Sequence, residues 1–322
     1  MSLPWNLVLV GSGWAHHAAV AAQADPRVRL SALVARGSER SVALAARYGI
    51  PLVGSIDELS LEDIPRVAVV AVNEEVTPIV ARALLERGCD VLCAHPVART
   101  AAMVNELAYL AAQRGRVIGT DYTMALAPGA LIARDAVRES GPLLRVGIEH
   151  PGRLLPMALH LALFFGGPVA SVYASRALPP LLRESARRSP GAFSPSLLLE
   201  HESGVVSSLL GVPHASVAAA FRCTLSGAAG RVDVDLPHGD VRRVRQTRGG
   251  ECIEERIFAA APAVAEPFGE LMKAMFHAFL SSARSGAESS GPLSQEAHVR
   301  AVWNAIPVAL RTGARALVEL PS

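Results

Sequence analysis

The sequence predicts an α/β protein in which a doubly wound parallel sheet is followed by an α+β domain with a mostly antiparallel, open sheet. The chain has 322 residues, of which 51% are hydrophobic, so it can bury two separate cores. Between about residues 5 and 120, short apolar runs alternate with helical segments, as in a parallel sheet covered on both faces. From residue 169 onward, strand-like runs follow one another directly, which favours antiparallel pairing.

The elements of the first half are predicted from apolar runs separated by turn residues. Strands are expected at Leu7–Val10, Arg29–Val34, Leu52–Val53, Val67–Val72, Asp90–Cys93 and Val117–Ile118. Helices are expected at His16–Ala24, Ser38–Tyr48, Val76–Arg87 and Ala101–Arg114. Three of these helices are followed by a glycine, the residue that most often ends a helix.

The second half places helices at its two ends and strands between them. Helices are expected at Leu126–Ser140, Met157–Phe165, Pro267–Ser282 and Ser294–Gly313. Strands are expected at Arg145–Glu149, Ser171–Ala174, Ser196–His201, Val205–Leu210, Ser216–Leu225, Arg231–Asp235, Cys252–Phe258 and Ala316–Leu320. We therefore predict two domains, residues 1–122 and 123–322, with a C-terminal segment that could return to the first domain. The Arg-, Ser- and Pro-rich stretch Pro179–Ser196 predicts a mobile loop.

Composition excludes several classes of partner. The formal net charge is +2, which gives no electrostatic basis for binding nucleic acid or an anionic membrane. The four cysteines are scattered, so we expect reduced thiols in the cytoplasm and no disulfide framework. No apolar run is long enough to span a bilayer, no signal peptide is expected, and no metal-ligand spacing is recognisable. Lys273 is the only lysine, which restricts any mechanism that needs one.

A glycine motif follows the first predicted strand and opens the first helix. It reads Gly11-Ser12-Gly13-Trp14. The first glycine permits a tight turn, and the second lets a pyrophosphate approach the backbone amides of a helix N-terminus. The third glycine of the usual fingerprint is missing, but the strand–turn–helix context predicts a dinucleotide site. Trp14 either covers the pyrophosphate or simply packs.

The end of the second strand indicates which dinucleotide binds. Sites for NAD usually place an acidic residue there to bind the ribose 2′-hydroxyl, and neither Ala35 nor Arg36 is acidic. Arg36 can stack on adenine and pair with a 2′-phosphate, while Ser38 and Arg40 can add hydrogen-bond donors. The sequence therefore favours NADP(H). The alternative is a solvated loop in which Ser38 is an ordinary helix cap.

Several segments, taken together and in this order, resemble one family of oxidoreductases. They are Gly11–Gly13, Ala45–Pro51, Arg87–Pro96 and Gly227–Val232, and they are similar to the glucose–fructose oxidoreductase/inositol dehydrogenase family (Gfo/Idh/MocA). The resemblance implies a Rossmann domain followed by an open antiparallel sheet that often forms a dimer interface. A homodimer is therefore expected.

The sequence departs from that family at two functional positions. The family's Glu-Lys-Pro motif carries a lysine for substrate binding and proton transfer, but here the residues are Ala94-His95-Pro96. The family's aspartate–histidine helix pair retains only the histidine, His160, because Pro156 stands at the aspartate position. These departures count against polyol oxidation.

One branch of the family has histidine at the lysine position, namely the thiazolinyl imine reductases of siderophore assembly. The resemblance to this branch is closest in Ala35–Ser41, Tyr48–Leu52, His95–Pro96 and Tyr122. It implies NADPH-dependent reduction of a thiazoline to a thiazolidine on a carrier-bound intermediate of nonribosomal peptide synthesis. A carrier domain is then an expected partner. Arginines 183, 187 and 188 of the Pro179–Ser196 loop either contact that domain or are solvated.

Candidate site residues follow the carboxyl ends of the strands, where Rossmann ligands bind. Tyr122 could donate a proton as a phenol, and His95 could donate one or orient Tyr122. Asp121 is an alternative acid, and His160 could face the site or fill the core. The cofactor site is expected to include Gly11, Ser12, Gly13, Trp14, Ala35, Arg36, Ser38, Arg40, Val72, Asn73, His95 and Pro96. Two alternatives stay open: reduction of a ketone or sugar derivative, and NADP binding without catalysis.

Overall fold

The computed structural model describes residues 4–59, 66–176, 195–212, 221–237, 239–246, 250–259, 267–287 and 292–320. The chain forms two compact units. The first consists of Met1–Thr123 and Phe268–Ala297, and the second of Met124–Pro267 and His298–Ser322. The segment 177–194, which contains all but the last two residues of the predicted loop Pro179–Ser196, lies outside the described residues, and Ser196 begins the strand Ser196–His201.

The first unit contains a six-stranded parallel sheet in the order β3-β2-β1-β4-β5-β6. Its strands are β1 Trp5–Val10, β2 Val28–Val34, β3 Leu52–Val53, β4 Val67–Val70, β5 Asp90–Cys93 and β6 Ile118–Thr120. The connecting helices are α1 Ala15–Gln23, α2 Glu39–Tyr48, α3 Thr77–Glu86 and α4 Ala101–Gln113. The predicted doubly wound parallel sheet is confirmed.

The strand order determines where a ligand can bind. Strands β2 and β4 both pair with β1, so the chain moves outward in opposite directions from this central strand. Ligands of such sheets lie beyond the carboxyl ends of the strands at this reversal. Every residue of β4 is buried, as expected for a strand covered on both faces.

The second unit contains a nine-stranded sheet in the order β14-β13-β12-β11-β7-β10-β9-β8-β15. Its strands are β7 Leu143–Pro151, β8 Val169–Ser175, β9 Ser196–His201, β10 Val206–Val212, β11 Phe221–Gly227, β12 Gly230–Leu236, β13 Val241–Gln246, β14 Cys252–Phe258 and β15 Ala316–Leu317. All neighbouring pairs are antiparallel except β7 and β10. The predicted mostly antiparallel sheet is confirmed.

Helices pack against this second sheet. They include α5 Pro128–Arg138, which contacts β11, β12 and β13, and α6 Leu155–Gly166, which contacts β7 and β10. Gly129 of α5 lets the helix lie close to β12, because a Cβ there would be 3.2 Å from the Val234 side chain. Two further helices follow, α7 Pro267–Ser285 and α8 Leu293–Thr312. None of the helices in the described ranges is long and apolar enough to cross a membrane.

The structure differs from the predicted elements in several places. Strand β13 was not predicted, because its core Arg242-Arg243 lacks the alternation of apolar residues on which strand prediction depends. Arg243 donates to Glu255 on β14 at 2.5 Å, so cross-strand ion pairs replace apolar contacts there. The prediction that Val67–Val72 forms one strand was too long, since β4 ends at Val70. Likewise β15 ends at Leu317 rather than at residue 320.

Candidate functional site at the carboxyl edge of the parallel sheet

The loop between β1 and α1 requires glycine at its first position. Gly11 has a φ of +90°, and a Cβ there would lie 2.2 Å from the carbonyl oxygen of Ala71. This close approach brings the loop against the carboxyl end of β4. Around Gly13, by contrast, an added Cβ would meet no atom within 4 Å. The backbone at Gly13 is thus open to the approach of a bulky anion, as the fingerprint requires.

The N-terminus of α1 has the properties of a phosphate site. Its N-cap is Trp14, whose side chain makes no capping hydrogen bond, and the first turn has no acidic residue. The first amides and the positive end of the helix dipole can therefore serve an anion. Ala15 lies near the position where the usual motif has its third glycine, and it is fully buried. The helix and the sheet therefore leave space for its methyl group. These residues fit the pyrophosphate of a nicotinamide dinucleotide.

The segment after β2 divides its polar residues between two roles. The Ser38 hydroxyl accepts a hydrogen bond from the Ser41 amide at 3.3 Å and caps α2, so the structure gives Ser38 the helix-cap role. Arg36 is exposed. Arg40 donates from Nη2 to the carbonyl oxygen of Gly13 at 3.2 Å. That contact places the Arg40 guanidinium beside the glycine loop. The Ala35 amide donates to the carbonyl oxygen of Val53 at 2.9 Å, so its backbone continues the pairing of β2 with β3.

The segment after β4 lies against the same loop. A Cβ on Gly11 would come within 3.0 Å of the Val72 side chain. The Asn73 side-chain oxygen accepts a hydrogen bond from the Val76 amide at 3.0 Å. The side chain of Asn73 therefore stabilises the start of α3, and Val72 forms part of the wall beside Gly11.

The segment after β5 carries a buried histidine–carboxylate pair. The His95 Nδ1 atom lies 2.6 Å from Glu296 Oε2. The other carboxylate oxygen, Oε1, accepts a hydrogen bond from the Val97 amide at 3.1 Å. The His95 side chain is 8% exposed and that of Glu296 is wholly buried. Pro96 follows His95 through a cis peptide bond.

Sequence reasoning missed Glu296. It lies in the first turn of α8, 201 residues from His95. An acidic residue in the first turn of a helix is common, because it interacts favourably with the helix dipole. The only local signal was that Glu296 stands among residues that become buried, Ala297, His298 and Val299, and burial cannot be read from a single sequence.

The segment after β6 contains the two other predicted acids. The Asp121 amide donates to the carbonyl oxygen of Cys93 at 3.0 Å, so the chain leaves β6 beside the end of β5. Asp121 Oδ1 accepts hydrogen bonds from the amide and hydroxyl of Thr123, which is a local turn role. Tyr122 is only 5% exposed. Burial raises the pKa of its phenol, so Tyr122 stays neutral at physiological pH.

The charge of Glu296 also reaches the end of β5. Burial raises the pKa of the Cys93 thiol, and the nearby carboxylate of Glu296 raises it further. Burial likewise raises the pKa of Cys89 to about 12. Both thiols therefore remain protonated at physiological pH.

The predicted residue His160 belongs to the second unit. It lies on α6 and is 4% exposed. Pro156 occupies one of the first two positions of α6, where proline is well tolerated because it needs no hydrogen-bond partner for an amide. This explains structurally how the helix begins without the aspartate of the related family.

Comparisons with known proteins agree with this architecture. The sequence profile of the oxidoreductase family Gfo/Idh/MocA, with an NAD-binding Rossmann fold, matches residues 5–122. No curated protein matches the sequence significantly.

Solved structures of low sequence identity share the fold along the whole chain. An oxidoreductase from Agrobacterium radiobacter, in complex with NAD+, L-tartaric acid and magnesium, has a TM-score of 0.81 at 13% identity, with 98% of each chain covered. A levoglucosan dehydrogenase in complex with NADH and levoglucosan has a TM-score of 0.81 at 15% identity, covering 98% of this chain and 99% of the other. An oxidoreductase from Desulfitobacterium hafniense, provisionally described as NADPH-dependent, has a TM-score of 0.80 at 13% identity over 99% of each chain.

The glycine loop, the strand order and the matched profile are those of an NAD-binding Rossmann domain. The resemblance to the Gfo/Idh/MocA oxidoreductase family that the sequence predicted is thus matched by the family profile over the Rossmann domain, residues 5–122. The comparisons give no support to the thiazolinyl imine reductase subtype.

Proposed function

We propose that the protein interconverts an alcohol and a ketone in a small polar molecule, such as a sugar derivative, using a nicotinamide nucleotide. The observation that carries this proposal is the His95–Glu296 pair at the carboxyl end of β5, with 2.6 Å between His95 Nδ1 and Glu296 Oε2. Histidine held by a carboxylate is a common general acid–base unit. It stands where the related family has its proton-transferring lysine.

The substrate class is inferred from the similar structures. The levoglucosan dehydrogenase acts on a sugar derivative, and the Agrobacterium enzyme was solved with a hydroxy acid. Both ligands carry hydroxyl groups on carbon. Reduction of a carrier-bound thiazolinyl imine in siderophore synthesis has no such support, so we prefer the ketone or sugar alternative. A carrier-domain partner likewise has no supporting observation, since arginines 183, 187 and 188 lie outside the described residues.

In the proposed mechanism His95 transfers the proton, and the nicotinamide would accept or donate the hydride. A bound nicotinamide supplies the hydride acceptor for alcohol oxidation and the hydride donor for ketone reduction. In the oxidative direction, His95 Nε2 takes the hydroxyl proton of the substrate while the carbon bearing that hydroxyl loses its hydride and becomes a carbonyl. In the reductive direction, His95 returns the proton to the carbonyl oxygen. In each direction, one proton passes between the substrate and His95 for each hydride that leaves or joins the substrate carbon.

We assign Tyr122 to substrate binding as a neutral hydrogen-bond donor. Its phenol is buried and its pKa is raised by that burial, so it would donate to the substrate oxygen without losing its proton. We assign Asp121 to the turn, because its carboxylate accepts from Thr123.

We propose NADP(H) as the preferred nucleotide. No acidic side chain follows β2 at Ala35 or Arg36, and the guanidinium of Arg40 lies beside the glycine loop. Together Arg36 and Arg40 would pair with a 2′-phosphate. The similar structures include complexes with NAD+ and NADH, so this preference depends on the arginines of this chain.

A homodimer remains part of the proposal. Three apolar residues, Tyr173, Leu198 and Leu210, lie on one face of the nine-stranded sheet, as the register of β8, β9 and β10 requires. They are 36%, 41% and 48% exposed, respectively. An apolar patch on an open sheet is typical of a protein–protein interface.

The proposal is tested with the full-length protein and a panel of acceptors and donors. Sugars, anhydrosugars and hydroxy acids are offered with NADP+ or NAD+, and keto sugars and a thiazoline thioester mimic with NADPH or NADH. We expect turnover with members of the alcohol and ketone set. Turnover confined to the thiazoline mimic would replace this function with imine reduction. Tight nucleotide binding without turnover of any compound would favour the non-catalytic alternative.

A further inference from the structure

Glu296 is a buried carboxylate whose two oxygens both bind one short segment. Oε2 lies 2.6 Å from His95 Nδ1, and Oε1 accepts from the Val97 amide at 3.1 Å. The glutamate comes from the first turn of α8 and has no exposed side-chain surface. Nδ1 of the His95 imidazole is thus directed at Glu296, while the same carboxylate binds the backbone two residues further on.

Burying a carboxylate is unfavourable unless its charge is compensated. At Glu296 the compensation comes from two hydrogen bonds and from the N-terminal position on α8, where the helix dipole favours negative charge. A glutamine of the same shape could join α8 to this segment without burying a charge. A buried carboxylate beside a histidine, at the carboxyl edge of the sheet where ligands are expected, is typical of a functional site.

We propose that Glu296 is the positioning residue that makes His95 the proton carrier, an inference that rests on the proposed alcohol–ketone function. A carboxylate can only accept a hydrogen bond, so His95 Nδ1 must carry a proton and donate a hydrogen bond to Glu296. Proton exchange with substrate therefore falls to Nε2. When Nε2 takes a proton, the positive charge of the ring lies beside the negative charge of Glu296, as in other carboxylate–histidine pairs.

This arrangement also accounts for the departure from the related family. A lysine ammonium has three equivalent donors and needs no partner to select one of them. An imidazole has two different nitrogens, and a second group must set which one carries the proton. Glu296 supplies that group, so the change to His95 and the buried glutamate on α8 form one functional unit.

The variant Glu296→Gln separates positioning from a merely structural contact. The glutamine oxygen can still accept from the Val97 amide, which directs its NH₂ group toward His95 Nδ1. Nδ1 must then accept, so the neutral ring changes to the Nε2–H tautomer and can no longer take a proton there. The matched control is Glu270→Gln, because Glu270 is a 54% exposed carboxylate on α7 that pairs with Lys273.

The experiment is long-range ¹H–¹⁵N NMR of the full chain labelled with ¹⁵N-histidine. The His95 signals are identified among the ten histidines by their loss in His95→Gln. We expect protonated Nδ1 in the wild type and in Glu270→Gln, and protonated Nε2 in Glu296→Gln. On any substrate found, kcat of Glu296→Gln should fall about 100-fold or more with KM nearly unchanged.

A neutral His95 protonated at Nε2 in the wild type would overturn the inference, as would a wild-type kcat in a folded Glu296→Gln. Glu296→Asp keeps the charge, and we expect it to retain the wild-type tautomer with partial activity. If Glu296→Gln does not fold, the wild-type and Glu296→Asp tautomers decide the question. The NMR readout needs no substrate. If Nδ1 is protonated in the wild type as expected but no compound is turned over, the alcohol–ketone function is refuted, while the role of Glu296 in setting the His95 tautomer stands.

Discussion

Two alanine substitutions in the glycine loop should affect different properties, stability at Gly11 and nucleotide binding at Gly13, because the two glycines have different surroundings. At Gly11 a Cβ would lie 2.2 Å from the Ala71 carbonyl oxygen and 3.0 Å from Val72 Cγ1, at a φ of +90°. The carbonyl belongs to the backbone at the end of β4, so it cannot move aside as a flexible side chain would. At Gly13 a Cβ would meet nothing within 4 Å.

The magnitude for Gly11→Ala follows from two costs. A positive φ costs a residue with a Cβ about 1–2 kcal/mol, and forcing an extra carbon into a packed region costs about 1–3 kcal/mol. Their sum, about 2–5 kcal/mol, should lower the Tm by roughly 5 °C or more for a unit of this size. For Gly13→Ala we expect an unchanged Tm but at least about tenfold weaker nucleotide binding, since the methyl group obstructs the pyrophosphate.

The assay combines thermal unfolding with nucleotide titration of the purified full chain. Thermal unfolding is followed by far-UV circular dichroism, and NADPH binding by nicotinamide fluorescence. Gly37→Ala serves as a control for backbone strain alone, because Gly37 has a φ of +77° but a Cβ there would meet no atom within 4 Å. A Gly11→Ala protein as stable as Gly37→Ala, or a Gly13→Ala protein that binds NADPH normally, would refute this account of the loop.

Three further outcomes are expected. Replacing Arg36 and Arg40 with alanine should weaken NADPH binding about 10–150-fold through lost charge-assisted hydrogen bonds and leave the Kd of NADH nearly unchanged; equal losses for both nucleotides would argue against 2′-phosphate recognition. Burial raises the pKa of Tyr122, so above about pH 10 the unfolded chain releases a proton that the folded chain keeps, and the fold loses stability. Denaturant titrations should therefore show stability shifting in favour of Tyr122→Phe as the pH rises above about 10; a pH-independent difference would contradict the burial. Leu198→Glu should convert the expected dimer to monomer in light scattering at micromolar concentration, while the exposed Leu320→Glu should not.

The fold was predictable because local patterns and the sheet agree over most of the chain. Asp90–Cys93 is a fully buried strand of four residues between a glycine turn and a proline, and its predicted limits are those observed. Strand β13 could not be found in this way. Its arginines depend on acidic partners such as Glu255 on the neighbouring strand, and those partners are known only once the strands are paired.

The candidate site was predictable where function follows the ends of strands. The glycine loop, Arg36 and His95 follow β1, β2 and β5 along the chain. Their position at the carboxyl edge could therefore be predicted from the succession of strands and helices in the sequence. The capping roles of Ser38 and Asp121 compete with their functional roles, and only hydrogen-bond geometry distinguishes the two. Glu296 could not be predicted, because the contact that defines it joins residues 201 positions apart.

The central claim is that His95 carries the proton during alcohol–ketone interconversion. The most direct measurement is kcat of the wild type and of His95→Gln on the best substrate of the panel, with the NADPH Kd determined for both. We expect kcat to fall about 100- to 10,000-fold in the variant, with an unchanged Kd for NADPH. Turnover of His95→Gln at the wild-type rate, with the nucleotide bound equally well, would contradict the claim.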